Sequence, residues 1–157
     1  MLDVQMKILD DRLRQWGLPT YKTDMAAGID LYACLDTPLD LEPQAPAVLI
    51  PTGMAIFVNE ASVAAMVYPR SGLGHKRGLV LGNGTGVIDP DYQDQLYVSA
   101  WNRNPDPDAA IRINPGDRIA QLVFTPVLRP KLVEVDDFSH ATTRGVGGFG
   151  STGVTNA

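Results

Sequence analysis

Apolar residues in this chain come in short runs, and nearly every run is closed by a residue that bends or ends it. The segments "VQMKIL", "DLYACL", "AVLIP", "MAIFV", "AAMVYP", "GLVLG", "QLYVSAW", "AIRI", "IAQLVFTPV" and "KLVEV" are rich in β-branched or alternating residues. Gly, Pro, Asn or Asp bounds most of them, as expected between strands. Helical periodicity is scarce, and 12 prolines spread along the chain break any long helix. The pattern predicts an all-β fold, a sandwich or jelly roll, with one short helix near "NEASVAAM". At 157 residues the chain fits one domain with one core and needs no disulfide or metal to fold.

Composition narrows the function. The net charge is -5, against the strong basic excess that a general nucleic-acid surface requires. The one local basic run is "GHKRG" (residues 74–78). Cys34 is the only cysteine, so no intrachain disulfide can form. His75 and His140 are far apart in sequence, which disfavours a zinc site. Aspartates interrupt the N-terminal apolar stretch where a signal peptide would not tolerate them, and no run approaches the roughly 20 residues that cross a bilayer. The expectation is a soluble, cytoplasmic protein without a membrane or nucleic-acid partner.

Four clusters carry chemistry. "PRSGLG" (69–74) offers a guanidinium fork, a hydroxyl and accessible backbone amides, a set that suits phosphate oxygens. It lacks the spacing of a Walker A loop, and alone it is a weak signal that reads more often as an ordinary structural turn. "VIDPDYQD" places Asp89, Asp91 and Asp94 around Tyr92; a carboxylate beside a phosphate cradle can act as general base, though aspartate is also common in solvated turns. Just before it, "LGNGTG" sets Gly82, Gly84 and Gly86 at alternate positions, as in a hairpin tip whose backbone closely approaches something. "AAGIDLYA" leads Asp30 into a strand just after a glycine.

The fourth cluster is the tail, "RGVGGFGSTG" (144–153), in which half the residues are glycine. Without apolar periodicity it should be disordered when free, and ordering it costs on the order of 1–2 kcal/mol per residue. Arg144, Ser151 and Thr152 supply phosphate donors, and Phe149 is an aromatic ring able to stack on a base for about 1–3 kcal/mol. A plain flexible end seldom mixes these side chains, which favours a functional arm.

Taken together with "GDRIAQL" (116–122), these stretches resemble the five motifs of the trimeric dUTP diphosphatase (dUTPase) family in type and order. "VYPRSGLGHKRGLVLGN" followed by "VIDPDYQ" is similar to the bacterial branch. The likeness implies a distorted jelly-roll subunit over residues 1–143 and a Gly-rich arm over 144–157. It also implies a homotrimer whose active sites lie between subunits, with the arm closing over each site. The implied reaction is hydrolysis of dUTP to dUMP and pyrophosphate, which limits uracil in DNA and supplies dUMP for dTMP synthesis.

Residue roles follow from the resemblance, position by position. Asp89 would orient and deprotonate the water that attacks the α-phosphorus. Asp30 would hold water ligands of a Mg2+ ion bound to the triphosphate, a cation that favours water-rich octahedral coordination. Arg70, Ser71, Gly72 and Gln121 would contact phosphates. Arg144, Ser151 and Thr152 would neutralise the β- and γ-phosphates from the arm, where charge builds on the leaving group. Asn83 and the backbone at Val87 and Ile88 would read the uracil edge. Tyr92 would lie against the deoxyribose and exclude a 2′-hydroxyl, and Phe149 would cap the base.

One position departs from the pattern. The family has glycine where this chain has Asp94 in "DYQD". If that position requires positive φ, aspartate strains the hairpin, and an added carboxylate near a triphosphate weakens binding. Asp94 is also the feature that favours a catalytically weakened, nucleotide-binding or regulatory relative. A dCTP deaminase shares the fold, but the turn here is "PRSGLG", and Glu60 and Glu134 do not lie at motif positions.

Overall fold

A computed structural model describes residues 2–143 and Gly145. The strands are β1 (Gln5–Ile8), β2 (Ile29–Tyr32), β3 (Leu39–Leu41), β4 (Val48–Phe57), β5 (Val63–Pro69), β6 (Leu79–Leu81), β7 (Gly86–Ile88), β8 (Gln95–Asn102), β9 (Ile111–Ile113) and β10 (Arg118–Pro126). The helices are α1 (Arg12–Trp16) and α2 (Ser71–Arg77). No described helix is long and apolar enough to cross a membrane.

The all-β, jelly-roll expectation holds. Two four-stranded antiparallel sheets, ordered β1-β4-β8-β6 and β2-β10-β5-β7, enclose the core, and β3 pairs with β9 at one end. Period-two patterning aims the side chains. In β8, Leu96, Val98 and Ala100 point inward and are at most 1% exposed, while Tyr97 between them faces out. Asn102 continues the buried row because its polar atoms are satisfied: Nδ2 donates to Leu41 O (2.8 Å) and Ala109 O (2.9 Å). Leu13 of α1 is fully buried and plugs the core from the side.

At the bulge between Pro51 and Ala55, Gly53 adopts φ +71°. A side chain there would collide with Cys34 Sγ. Burial pushes the Cys34 thiol up to about 11, so it packs as a small apolar group.

Four details differ from the sequence reading. "NEASVAAM" forms no helix; a turn at 61–62 leads directly into β5, whose Ala64 and Ala65 are buried. Helix instead appears at 71–77, where "SGLGHKR" is too glycine-rich to read as one. "KLVEV" forms no strand. It continues beyond β10 without pairing with any described strand, and Leu132 and Val133 are exposed. Finally, the "LGNGTG" turn is not the tip of a hairpin within one sheet. Gly84 N bonds Leu81 O (3.1 Å) with Gly84 at φ +74°, and the chain passes from β6 in one sheet to β7 in the other. The close approach that the glycines implied is real, and it is internal: a Cβ on Gly86 would lie 3.0 Å from Val67 Cβ.

Candidate active site

Strand register assembles the first part of the site. Asp30 on β2 lies opposite Gln121 on β10, and on the other side of β10 Gln121 faces Tyr68 of β5, one residue short of its end at Pro69. Arg70 follows directly and leads into α2. Three neighbouring strands therefore place residues 30, 121 and 70 along one sheet end. Gln121 Nε2 donates to Pro69 O (2.9 Å), which fixes the amide. This rotamer depends on Gly28: a Cβ there would lie 2.8 Å from Gln121 Oε1. Asp30, Arg70, Ser71, Gly72, Leu73 and Gln121 line a cleft of about 340 Å3. Ser71 and Gly72 are exposed, and the space beside Gly72 is open.

The cleft is built around an ion triad. Asp30 Oδ1 meets Arg70 Nε at 2.8 Å, and Asp30 Oδ2 meets Arg118 Nη1 at 3.0 Å. Arg70 Nη1 also donates to Arg118 O (3.2 Å). One carboxylate thus orients two guanidinium groups and leaves excess positive charge facing the cleft, a fit for phosphate. Sequence reasoning missed Arg118 and Gly28. Both lay within the quoted motifs, "GDRIAQL" and "AGIDLYA", but neither advertised its partner.

A second cleft, about 690 Å3, lies elsewhere, with Val87 and Asp89 on its wall beside Ala64. Asp89 is exposed, and the turn after it closes through Tyr92 N to Asp89 O (3.1 Å). Tyr92 Oη donates to Gln95 O (2.9 Å), which holds the ring against the start of β8. Asn83 and Val87 are exposed and Ile88 is half-buried. Asp94 does not adopt positive φ; its Oδ1 accepts from Gln95 N (2.7 Å). The strain that its substitution threatened is absent.

Within one chain the two clefts are not joined. β7 pairs antiparallel with β5, Ile88 opposite Ala65, so Asp89 emerges at the beginning of β5 and Arg70 at its end. Asp30, Arg70, Ser71, Gly72 and Gln121 come together. Val87 and Asp89 line the other cleft, and Tyr92 lies in the turn after Asp89. Asn83 precedes the end of β7 at which Gly86 faces Val67, toward the Arg70 end of β5. The expected arm residues Arg144, Phe149, Ser151 and Thr152 lie outside the described residues.

Among the described residues no three His, Cys, Asp or Glu side chains converge on a metal position. Asp30 is the single carboxylate lining the Arg70–Gln121 cleft. One hard oxygen donor fits a cation that brings its own waters and takes its remaining ligands from phosphate.

A family model described as dUTPase matches residues 14–153. The chain belongs to the dUTPase family. Among relatives of this dUTPase chain is the deoxyuridine 5'-triphosphate nucleotidohydrolase of Coxiella burnetii, 55% identical over 151 residues and covering 96% of each chain. The enzyme of the same name from Enterobacter sp. is 55% identical over 154 residues, covering 98% of each. Among solved structures, the dUTPase of Staphylococcus bacteriophage 80alpha with dUPNHPP aligns with a TM-score of 0.83 at 28% identity, covering 98% of this chain and 100% of that one. A phage phi11 dUTPase described with a structural Mg(II) ion aligns with a TM-score of 0.76 at 25% identity, covering 88% of this chain and 99% of the other.

Proposed function

We propose that the protein hydrolyses dUTP to dUMP and pyrophosphate. The observation that carries this reading is the convergence of Asp30, Arg70, Ser71, Gly72 and Gln121, from three separate motifs, on one phosphate-sized cleft. Relatives named for this reaction support the choice of substrate.

In this reading the triphosphate lies along the Arg70–Ser71–Gly72 turn, with Gln121 completing the polar wall. Asp30 holds Arg70 in place and is the residue through which Mg2+ would be held. A bound cation would supply charge neutralisation for the phosphates. Asp89 takes the proton of the attacking water, general-base work that contributes typically about 10²–10⁴-fold. Asn83 and the backbone of Val87 and Ile88 read the uracil edge, and Tyr92 packs against the deoxyribose where a 2′-hydroxyl would clash. Arg144, Ser151 and Thr152 of the arm (144–157) neutralise the β- and γ-phosphates, and Phe149 stacks on the base.

The separation of Asp89 from Arg70 supports the homotrimer. A carboxylate at one end of β5 cannot reach a phosphate held at the other, so a complete site takes the cradle of one copy and the Asp89 turn of another. A weakened regulatory relative, favoured by Asp94, loses ground because Asp94 is unstrained. The deciding experiment is a panel of deoxynucleoside triphosphates and UTP with Mg2+, scored for pyrophosphate. Release from dUTP alone is the expected result; ammonia from dCTP, or dUTP binding without turnover, would reject the reading.

A further inference from the structure

Arg70 borders two cavities. Besides the phosphate cleft it lines a pocket of about 240 Å3, set between one face of α2 and the turn that joins β9 to β10. The floor is apolar and firm: Leu79, Ile111, Ile113 and Ile119 are at most 3% exposed. Four arginines are among its lining residues, Arg70, Arg77, Arg112 and Arg118. Leu73 and Arg77, four residues apart, share the α2 face that borders it.

Nearby carboxylates offset this charge only in part. Asp30 is shared between Arg70 and Arg118. Arg112 meets Asp40 at 2.9 Å in an exposed pair, an arrangement worth little against a competing ligand. Arg77 has no carboxylate partner among the described residues. Asp117 is the one acidic group on the wall, and its Oδ2 already accepts from Asn114 N (2.8 Å). In a chain of net charge -5, such a concentration of arginine is local and not a property of the whole surface.

We propose that this pocket is a second anion site, taking a small polyanion of the inorganic pyrophosphate class. Guanidinium forks bind phosphate oxygens bidentately. The volume lies below the roughly 300 Å3 at which pockets for drug-sized ligands begin, which favours a small polyanion over a whole nucleotide. Arg70 belongs to both cavities, so an anion here competes for the guanidinium that grips substrate. Pyrophosphate as the natural occupant rests on the reaction proposed above; the preference for a polyanion rests on the pocket's own arginines.

Calorimetric titration of the full chain with inorganic pyrophosphate, without nucleotide, tests this. The Arg77→Gln/Arg112→Gln variant is expected to bind one equivalent fewer per chain than wild type, while Arg77→Lys/Arg112→Lys keeps it. Both positions are exposed, and circular dichroism checks the fold. Equal stoichiometry in wild type and the glutamine variant overturns the proposal. If the equivalent is lost as expected but wild type does not turn over dUTP, the pocket stands and the proposed reaction falls.

Discussion

Arg70 and Asp89 stand at opposite ends of β5, with about 20 Å of strand between them at the usual rise per residue. On the proposed reading, the groups that would grip the phosphates and activate water meet across a subunit boundary. Arg70→Gln and Asp89→Asn should each cut kcat about 100-fold or more. Co-refolded in equal amounts, the two inactive proteins should regain about a quarter of wild-type activity, because that share of sites pairs an intact cradle with an intact carboxylate. Steady-state assay of the mixture checks this; no recovery despite mixed trimers places both groups in one chain's site.

Gly28→Ala should separate stability from function. The added methyl would meet Gln121 Oε1, the movable end of a side chain, so the fold yields at a cost of about 1 kcal/mol. Gln121 then leaves Pro69 O and the cleft wall changes shape. Thermal melts should barely move while KM for dUTP rises several-fold. An unchanged KM would show that Gln121 has no part in binding.

Asp94→Gly restores the residue usual in the family at a site that does not need it. The variant loses the bond to Gln95 N and gains chain entropy when unfolded, so it should be less stable by about 1 kcal/mol. Removing a carboxylate near a triphosphate should raise kcat/KM, most clearly at low ionic strength. Kinetics identical to wild type at all salt concentrations would end the idea that Asp94 repels substrate.

Asp10 joins the end of β1 to the loop after β2 through Arg12, which also donates to Leu35 O (2.6 Å). The hydrogen-bonded Arg12 guanidinium holds the Asp10 carboxyl below its ordinary value. A carboxyl so lowered stabilises the fold while ionised, and the benefit disappears as pH falls through its depressed value. Asp10→Asn should therefore lower Tm at neutral pH, with the gap to wild type closing in acid, below a pH of about 4. A gap independent of pH would assign the loss to packing.

The longer strands were legible because β-branched runs and their Gly or Pro boundaries act locally: β4, β8 and β10 stand where "AVLIP…MAIFV", "QLYVSAW" and "IAQLVFTPV" placed them. The three-residue strands β3 and β7 carry too little pattern to be seen alone and exist because neighbours pair with them. "KLVEV" shows the converse, a strand-like pattern left without an edge. In the site, residue types singled out Arg70 and Ser71, and register brought Asp30 and Gln121 beside them. The Asp30–Arg118 pair spans 88 positions and was invisible until the sheet closed. The angle at Asp94 likewise belongs to the folded turn and not to the residue.

β5 serves as a spacer of fixed length, since an extended strand cannot shorten. On the proposed arrangement, a newly made protomer already owns every chemical group it needs yet is inert by itself. Catalysis then switches on at the moment of assembly, and dilution that parts the protomers would silence it without unfolding any of them.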